Sequence, residues 1–322
     1  MNSVENAVHN FVSTIGDKHV VVAYSGGVDS QALLFALYKK LGKDRITAVH
    51  INHGNTDYDD DWEDFCNTFC NAYDINLEVF QLELGIGHSN FEAVSRDYRY
   101  TALKTTAESL DNAVVVTGHH MDDQAETIIL RLMRGAGVDG LAGIPVERAL
   151  GKAKVVRPFL SVPKSELIKY CECQGISWYH DVTNLSTEHD RNFIRLNILP
   201  VLSSRWPSAV DAICQTAEHC SVAAKRLKNN TKELYAKCDS GARTLLLDPF
   251  KNELTRAEQC DVVRMFFTKC GLNYPNKRIL RVIIDEVIHS DLSRTNASLQ
   301  TARFKCKRTK IGGKYQLVLQ VY

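Results

Sequence analysis

Short apolar stretches alternate with longer amphipathic segments through the first half of the chain. Stretches typical of strands buried in a parallel sheet occur at Val20–Tyr24, Ile46–Ile51, Leu77–Leu82 and Ala113–Thr117. Between them, apolar positions recur at helical spacing over residues 28–41, 62–73, 91–110 and 121–134. Strands that alternate with helices favour parallel pairing with helices on both faces. The pattern therefore predicts an α/β fold with a doubly wound parallel sheet.

The pattern changes in the second half of the chain. A short strand (Val155–Leu160) and a helix (Pro163–Gln174) are followed by a polar helical stretch over about 208–237. The last part mixes strand-like and helical runs, at 245–247, 256–270, 277–288, 302–310 and 316–320. We therefore predict a catalytic domain over residues 1–215, a helical linker over 216–240, and a smaller α/β or α+β domain over 241–322.

The charge of the chain is divided unevenly between these parts. The net charge is +1 over 322 residues. Residues 1–220 carry 19 Lys and Arg against 29 Asp and Glu, whereas residues 221–322 carry 20 against 9. A basic final part favours a polyanionic partner such as nucleic acid, and a solvated basic face is an equally good interpretation.

Composition limits the class of protein further. The chain is 44% hydrophobic and 24% charged, which is ordinary for a globular protein. No apolar run is long enough for a membrane span, and the N-terminus lacks the features of a signal peptide. Ten scattered cysteines fit a reduced setting, so we expect a cytoplasmic protein without a membrane partner. Whether it forms a homodimer is left open.

The first strand runs into a glycine turn that suits anion binding. We call Ser25–Gly26–Gly27–Val28–Asp29–Ser30 the phosphate loop. Two glycines allow close approach of backbone N–H groups to a phosphate, and the start of the following helix adds unpaired donors and a positive dipole end. No lysine follows the glycines, so the loop is not a kinase-type P-loop. An acidic Asp29 beside a phosphate site favours a bridging Mg²⁺.

Further candidate residues lie after the fourth strand and near residue 190. Asp123 and Glu126 are one helical turn apart at the start of a helix, which suits a cationic substrate or Mg²⁺. Acidic groups at this position are also common dipole partners. Arg191 and Arg195 are likewise one turn apart and could share a phosphate-contacting face, a pairing also common on plain surfaces.

These motifs together resemble the tRNA(Ile)-lysidine synthase family of the N-type ATP pyrophosphatases, whose fold is adenine nucleotide alpha hydrolase-like. The matching segments, which span about residues 20–202, are the phosphate loop, Glu92–Tyr100, Gly118–Thr127, Arg134–Leu141, Arg157–Leu160, Asp181–Asn184 and Arg191–Pro200. The Asp-Asp-Gln-Ala-Glu-Thr sequence from Asp122 is the part that narrows the superfamily to this family.

The resemblance implies a ligase that uses ATP and Mg²⁺ to adenylate C2 of the wobble cytidine in a CAU-anticodon isoleucine tRNA. L-lysine then attacks C2 to give lysidine, AMP and pyrophosphate. The phosphate loop would bind ATP, with Asp29 near Mg²⁺. Asp123 and Glu126 would bind or deprotonate the lysine amine, because an amine must lose its proton to attack. Arg195, which we count with the catalytic residues, and Arg191 would lie against phosphate or tRNA.

The final domain would recognise tRNA, and Lys305, Lys307 and Arg308 on its basic strand are the residues we expect to do so. One segment departs from the family. After Asn52–His53–Gly54 the family usually continues with leucine and arginine, whereas this chain has a polar and acidic loop, Asn55–Asp61. Longer members carry a further C-terminal domain that has no counterpart here, which leaves open a natural short form or a truncated chain.

A tRNA thiolase of the same superfamily is the main alternative. Such an enzyme would need a catalytic cysteine pair or an iron–sulfur site, and Cys171 and Cys173 are spaced C-x-C within a predicted helix. Cys66 and Cys70, at i and i+4, are interpreted as buried thiols in preference to metal ligands. A non-catalytic tRNA-binding protein and a small-molecule synthetase of the superfamily are further alternatives.

Overall fold

The computed structural model describes residues 2–52, 54, 58–82, 91–179, 189–241, 243–273, 275–290 and 297–322. The chain divides into two compact units, Met1–Ser221 and Val222–Tyr322. The division falls within the segment predicted as a linker, inside a long helix, and the three-part boundaries stay a prediction. None of the described helices is long and apolar enough to cross a membrane.

The first unit is built on a mixed sheet. Within the described residues the sheet has six strands in the order β3-β2-β1-β4-β6-β5, all parallel except β5, which runs antiparallel to β6. The strands are β1 (His19–Ala23), β2 (Ile46–Asn52), β3 (Asn76–Gln81), β4 (Ala113–Val116), β5 (Glu147–Leu150) and β6 (Ala153–Val156). The parallel α/β sheet predicted from the sequence is confirmed.

The helices of this unit follow the predicted alternation. They are α1 (Ser3–Ile15), α2 (Val28–Leu41), α3 (Tyr58–Ala72), α4 (Phe91–Ser109), α5 (Met121–Met133), α6 (Val138–Leu141), α7 (Lys164–Gln174), α8 (Asp190–Phe193), α9 (Leu199–Arg205) and α10 (Ala209–Cys238). A π-helical turn, Ile194–Ile198, joins α8 to α9. The last helix, α10, contains the division between the two units.

Both faces of the sheet are buried, which explains the continuous apolar strands. Val20 and Val22 of β1 lie in a core with α1, α2 and α7, whereas Val21 lies in a second core with α4. Successive strand residues point to opposite faces, so a strand covered on both faces must be apolar at every position. The doubly wound arrangement follows directly from the sequence of β1.

The sequence-based prediction of the sixth and fifth strands was incomplete. The strand predicted at Val155–Leu160 is β6, which ends at Val156, and residues 158–161 form a turn. Strand β5 was missed altogether. Its residues are mostly exposed because it pairs on one side only, as an edge strand. An edge strand without an apolar run carries no periodic signal.

The second unit is an α+β fold. Its described strands form an antiparallel sheet in the order β7-β10-β9-β8. The strands are β7 (Thr244–Leu246), β8 (Ser298–Gln300), β9 (Phe304–Ile311) and β10 (Lys314–Val321). The helices are α11 (Leu247–Asn252), α12 (Arg256–Lys269) and α13 (Lys277–Arg281), which continues as a π-helical segment, Val282–Ile288. One face of the sheet packs on α12 and α13 around Phe266 and Phe267.

Alternation along β9 divides its basic residues between two environments. Phe304, Cys306 and Arg308 are buried, whereas Lys305 and Lys307 are partly exposed on the opposite face. Arg308 is only 2% exposed, and its Nη1 donates to the carbonyls of Ile288 (3.2 Å) and Ser290 (2.6 Å). This burial disfavours the expected contact of Arg308 with tRNA, because its guanidinium binds the carbonyls at the end of a helix.

Gly118 sets the distance between the end of β4 and the start of α2. A Cβ atom at this position would lie 2.9 Å from the carbonyl oxygen of Asp29 and 3.1 Å from the nitrogen of Ser30. Real Cβ atoms essentially never lie within 3.0 Å of another atom, so the contact with the Asp29 oxygen could not be kept without a shift of the backbone. A glycine is therefore required here by packing, because any side chain would separate the fourth strand from the phosphate loop.

We expect Gly118→Ala to lower the free energy of unfolding by about 1–3 kcal/mol, the usual range for overpacking. Chemical denaturation of the purified protein measures this change. Gly137→Ala is the matched control, since a Cβ atom there would meet nothing within 4 Å. Equal free energies of unfolding for the two variants would show that β4 and α2 can move apart without loss of stability.

Candidate active site

A cavity of about 830 Å³ opens at the carboxyl ends of three neighbouring strands. Its wall includes Ser25 after β1, Asn52 at the end of β2, and Gly118 and His119 after β4. Ligands of open parallel sheets bind at this edge, because the loops that leave the strands converge there. The fold therefore brings the phosphate loop and the Gly118–Thr127 segment into one site.

Contacts from two sides hold the phosphate loop. Gly26 has φ of 75°, and a Cβ atom there would lie 3.0 Å from Sγ of Cys66 and 3.2 Å from the indole of Trp62. Trp62 donates its Nε1–H to the carbonyl of Ser25, and the Tyr179 amide donates to the carbonyl of Gly26 at 2.9 Å. Because the carbonyls are bound on these sides, the loop is fixed before any ligand arrives.

The hydroxyls of the loop form a small network of their own. Ser30 Oγ donates to the carbonyl of Gly27 at 3.0 Å and accepts from the Ser25 amide at 3.2 Å. The two serine hydroxyls are 3.2 Å apart. Helix α2 begins at Val28 with no side-chain cap on its first amides. These unpaired amides make the start of α2 a suitable site for phosphate oxygens.

Asp29 has the features of a magnesium ligand. Its Oδ1 is buried and has no hydrogen-bond partner among the described residues, although the residue lines the cavity. A buried carboxylate oxygen without a partner is costly unless a ligand completes it. Mg²⁺ prefers carboxylate oxygens together with substrate phosphates. The donor chemistry at Asp29 therefore fits Mg²⁺, and the assignment of the metal stays a prediction.

His120 connects the phosphate loop to helix α5. The side chain is 1% exposed, and its ring nitrogens lie 3.5 Å from carboxylate oxygens of Asp29, Asp122 and Asp123. Burial lowers the pKa of His120, but hydrogen bonds to Asp122 and Asp29 and the charge of Asp123 outweigh burial and raise it to about 10. The imidazole is therefore charged at neutral pH and bridges carboxylates from both elements.

One contact of the His120 ring, with the backbone amide of Asp123, would favour a neutral imidazole instead. The Asp123 amide lies 3.4 Å from Nδ1, a long contact in which Nδ1 would have to accept. A charged imidazole carries hydrogen on both nitrogens and accepts nothing. Three surrounding carboxylates favour the charged form more strongly than one long contact favours the neutral form, so Nδ1 donates to Asp122.

Two arginines from the α8 region bind Asp123 and Glu126. Arg195 donates from Nε to Glu126 Oε1 at 2.6 Å, and Arg191 donates from Nε to Glu126 Oε2 at 2.8 Å. Arg191 Nη2 also donates to Asp123 Oδ1 at 2.8 Å. The charge pairing with Glu126 and Asp123 raises the pKa of Arg195 although burial alone would lower it. The four predicted residues thus form one ion-pair cluster, which we call the Arg–carboxylate cluster.

Their arrangement differs from the one expected from the sequence. Glu126 is fully buried and does not line the cavity, whereas Asp123, Arg191 and Arg195 do. The carboxylates were expected to be open to a cationic substrate, and the arginines to phosphate. In the structure the arginines neutralise the carboxylates, because α8 and α5 pack side by side. Asp123 is the carboxylate of the pair that the cavity reaches.

Sequence reasoning gave no role to either histidine of this segment. His119 lines the cavity, and its Nδ1 lies 2.7 Å from Oγ1 of Thr117. Burial lowers the pKa of His119 to about 4, so its imidazole is neutral. The neutral form of His119 and the charged form of His120 are determined by the groups around each ring. No pattern in the sequence distinguishes the two histidines. The aromatic contacts of Trp62 and Tyr179 were also missed, since neither residue belongs to a motif.

The structure describes the two cysteines interpreted as buried thiols but only part of the segments singled out in the sequence. Cys66 and Cys70 are buried in the core below the phosphate loop, which confirms them as buried thiols. Within the described part of the chain, no cluster of His, Cys, Asp and Glu has the arrangement of a metal site. Residues 55–57 of the atypical loop Asn55–Asp61 and the matching segment Asp181–Asn184 lie outside the described residues, whereas residues 58–61 already belong to helix α3.

Comparison with known proteins identifies a matching domain family and relatives that cover most of the chain. Residues 1–202 match the PP-loop domain family. The chain is 34% identical to tRNA(Ile)-lysidine synthase of Coxiella burnetii over 86% of its length, and 30% identical to that of Edwardsiella ictaluri over 95%. The chain spans 62% of the Coxiella protein and 70% of the Edwardsiella protein.

Solved structures show the same fold. A U34-tRNA thiolase from Methanococcus maripaludis, solved with its [4Fe-4S] cluster, superposes with a TM-score of 0.56 at 19% identity. The match covers 67% of this chain and 78% of the thiolase. At this identity the similarity establishes the fold alone. The sequence matches show the family: the chain belongs to the tRNA(Ile)-lysidine synthase family and carries its PP-loop domain.

Proposed function

We propose that the protein is a carbon–nitrogen ligase that converts the wobble cytidine of a CAU-anticodon isoleucine tRNA to lysidine, with ATP and L-lysine as the other substrates. The proposal rests on family membership together with one observation. A single cavity contains both a phosphate-binding loop and an acidic residue suited to an amine. The chain spans only part of its relatives, so the complete reaction is a proposal for this chain.

The first half-reaction would form a bond between the C2 oxygen of the cytidine and the α-phosphorus of ATP, with release of pyrophosphate. The amides at the start of α2 and the hydroxyls of Ser25 and Ser30 would bind phosphate oxygens. Mg²⁺ held by Asp29 would neutralise phosphate charge. His120 would keep the Asp29 carboxylate oriented, because it contacts the oxygen opposite the unpartnered one.

The second half-reaction would form a bond between the lysine nitrogen and C2, with release of AMP and of protons from the amine. Asp123 is the better placed of the two predicted carboxylates, since it lines the cavity. The positive charges of His120 and Arg191 hold the pKa of Asp123 below its ordinary value although burial opposes this. An ionised Asp123 would bind the lysine ammonium, and Glu126 would instead hold Arg191 and Arg195.

The sheet face of the second unit supports a role in binding tRNA. Lys305 and Lys307 lie on the face of β9 opposite the hydrophobic core. Their neighbours across the strands are Ser298, Gln300, Gln320 and the half-buried Val318, so this face is mostly polar. A polar sheet face with two lysines suits contact with phosphates. The cytoplasmic location and a homodimer stay predictions.

A tRNA thiolase is disfavoured by the cysteines. Cys171 is buried below α2 whereas Cys173 is exposed, so the two thiols point in different directions. Burial raises the pKa of Cys171 to about 12, which makes it a poor nucleophile at neutral pH. The described residues therefore offer no reactive cysteine pair for sulfur transfer.

The direct test incubates the protein with ATP, Mg²⁺, labelled lysine and a CAU-anticodon isoleucine tRNA transcript. We expect ATP-dependent incorporation of label that is lost when the wobble C is replaced by U.

Asp29→Asn should reduce this incorporation by at least about 100-fold, because the metal ion that binds the phosphates loses its ligand. Release of pyrophosphate without incorporation of lysine would redirect the search to another nucleophile, and normal activity of Asp29→Asn would refute the magnesium assignment.

We expect Glu126→Gln and Asp123→Asn to differ in their effects. Removing the charge of buried Glu126 leaves two guanidiniums on a neutral amide and should cost about 3 kcal/mol of stability. Asp123→Asn should instead raise the KM for lysine more than the KM for ATP. Thermal denaturation and initial-rate kinetics measure the two effects.

Glu147→Gln is the control for Glu126→Gln, because its pair with Lys154 is exposed and should contribute less than about 1 kcal/mol. A stable Glu126→Gln variant with a raised KM for lysine would assign the amine to Glu126 instead of Asp123.

For tRNA binding, we expect the double variant Lys305→Gln and Lys307→Gln to reduce the slope of log K against log salt by about 1–2. Fluorescence anisotropy with labelled tRNA measures the slope. Lys269→Gln on α12 is the control, since Lys269 stacks on Tyr235 away from this sheet face. Arg308 is unsuitable for this test because it is buried. An unchanged slope would make the lysine face an ordinary solvated surface.

A further inference from the structure

Four arginines to which the sequence analysis gave no role surround Tyr100, which lines one wall of the cavity. Arg96 and Arg99 come from the same helix as Tyr100, Arg148 comes from β5, and Arg157 follows β6. The guanidinium carbons of Arg96 and Arg148 lie 5.2 Å and 4.5 Å from the centroid of the Tyr100 ring. We call these four arginines and Tyr100 the arginine cluster.

The positive charge of this cluster is not balanced locally. Within the described part of the chain, none of its four arginines lies within ion-pair distance of a carboxylate, whereas Arg191 and Arg195 in the same cavity are fully paired. Arg157 is only 3% exposed, and the acceptor of its Nη1 is the carbonyl of Pro145 at 2.7 Å. Guanidiniums collected without counter-charges focus a positive potential on their surroundings.

The pKa of Tyr100 reflects the same positive potential. Burial raises the pKa of Tyr100, but the charges of Arg96, Arg157 and Arg148 outweigh burial and bring it below its ordinary value. The aromatic ring has a second effect, since stacking on it restrains the guanidiniums of Arg96 and Arg148. Restrained cations lose less side-chain entropy when an anion binds.

The cluster extends beyond the cavity. Arg96, Arg99 and Tyr100 line the cavity wall. Arg148 does not line the cavity and is exposed on β5, the edge strand of the sheet. The phosphates of a nucleotide bound at the phosphate loop have their own donors at the start of α2. A series of cations that leads from the cavity wall to the outer surface instead suits a chain of phosphates.

We propose that the arginine cluster is a binding site for the phosphodiester backbone of an RNA strand whose target base enters the cavity. The identity of the RNA as tRNA rests on the proposed function. Arg96, Arg99 and Arg148 contact backbone phosphates, and Tyr100 with buried Arg157 beneath it holds them in place. Phosphate contacts of this kind fix the register of the strand and leave recognition of the base to the cavity.

Equilibrium binding of a labelled CAU-anticodon tRNA transcript, measured over a series of salt concentrations, tests the site. We expect Arg96→Gln and Arg148→Gln each to reduce the slope of log K against log salt by about 0.7, the value for one single-strand phosphate contact, and the double variant by about twice as much. Both side chains are exposed, so the substitutions should leave the fold intact, which thermal denaturation checks.

Arg205→Gln is the matched control, because Arg205 is also exposed and also stacks on an aromatic ring, with its guanidinium carbon 5.6 Å from the centroid of Trp206. It should bind with the wild-type slope. A slope unchanged in the cluster variants, or reduced equally in Arg205→Gln, would overturn the proposal.

A parallel measurement with ATP separates the two sources of phosphate. We expect the affinity for ATP to be the same in the wild type and the cluster variants. A loss of affinity for ATP without a change in the tRNA slope would assign the arginines to the nucleotide and overturn the proposal. Failure of the wild type to incorporate lysine would refute the proposed function but not the site, whose readout is binding.

Discussion

The buried imidazolium of His120 is the contact on which the arrangement of the candidate site depends. It lies 3.5 Å from carboxylates on the phosphate loop and on α5, two elements that follow different strands. Without a cation between them, Asp29, Asp122 and Asp123 would repel one another in a buried setting. The positive charge therefore allows three acidic residues to converge on one edge of the sheet.

The same principle extends to the Arg–carboxylate cluster. Arg191 and Arg195 form ion pairs with Glu126, whose side chain is fully buried. Asp29 and Asp123 are the carboxylates of this group that line the cavity. Carboxylates in this position suit a cationic ligand. The arginine cluster around Tyr100 provides the opposite charge on another wall, so the cavity offers separate surfaces to a cation and to a polyanion.

Close packing holds the phosphate loop in place although the loop lines the cavity. Gly26 leaves no room for a side chain beside Cys66 and Trp62, and Gly118 brings β4 against the first turn of α2. Both glycines thus act through close approach, and only Gly26 also needs a positive φ. The loop is held mainly by contacts to its carbonyls, and the first amides of α2 have no side-chain cap, which suits them to phosphate oxygens.

The sequence by itself determined the parallel sheet, the phosphate loop and the pairing of Asp123 with Glu126 on one helix. These features depend on local periodicity and on short motifs, and both can be recognised from residues that are close together in the sequence. Strand β5 was beyond reach because an exposed edge strand has no apolar pattern. Only the tertiary structure decided that His120 is charged while His119 is neutral, that Arg191 and Arg195 bind the carboxylates, and that Arg308 is buried while Lys305 and Lys307 are not. Each of these depends on which distant residues become neighbours, and charge state and burial are properties of neighbours.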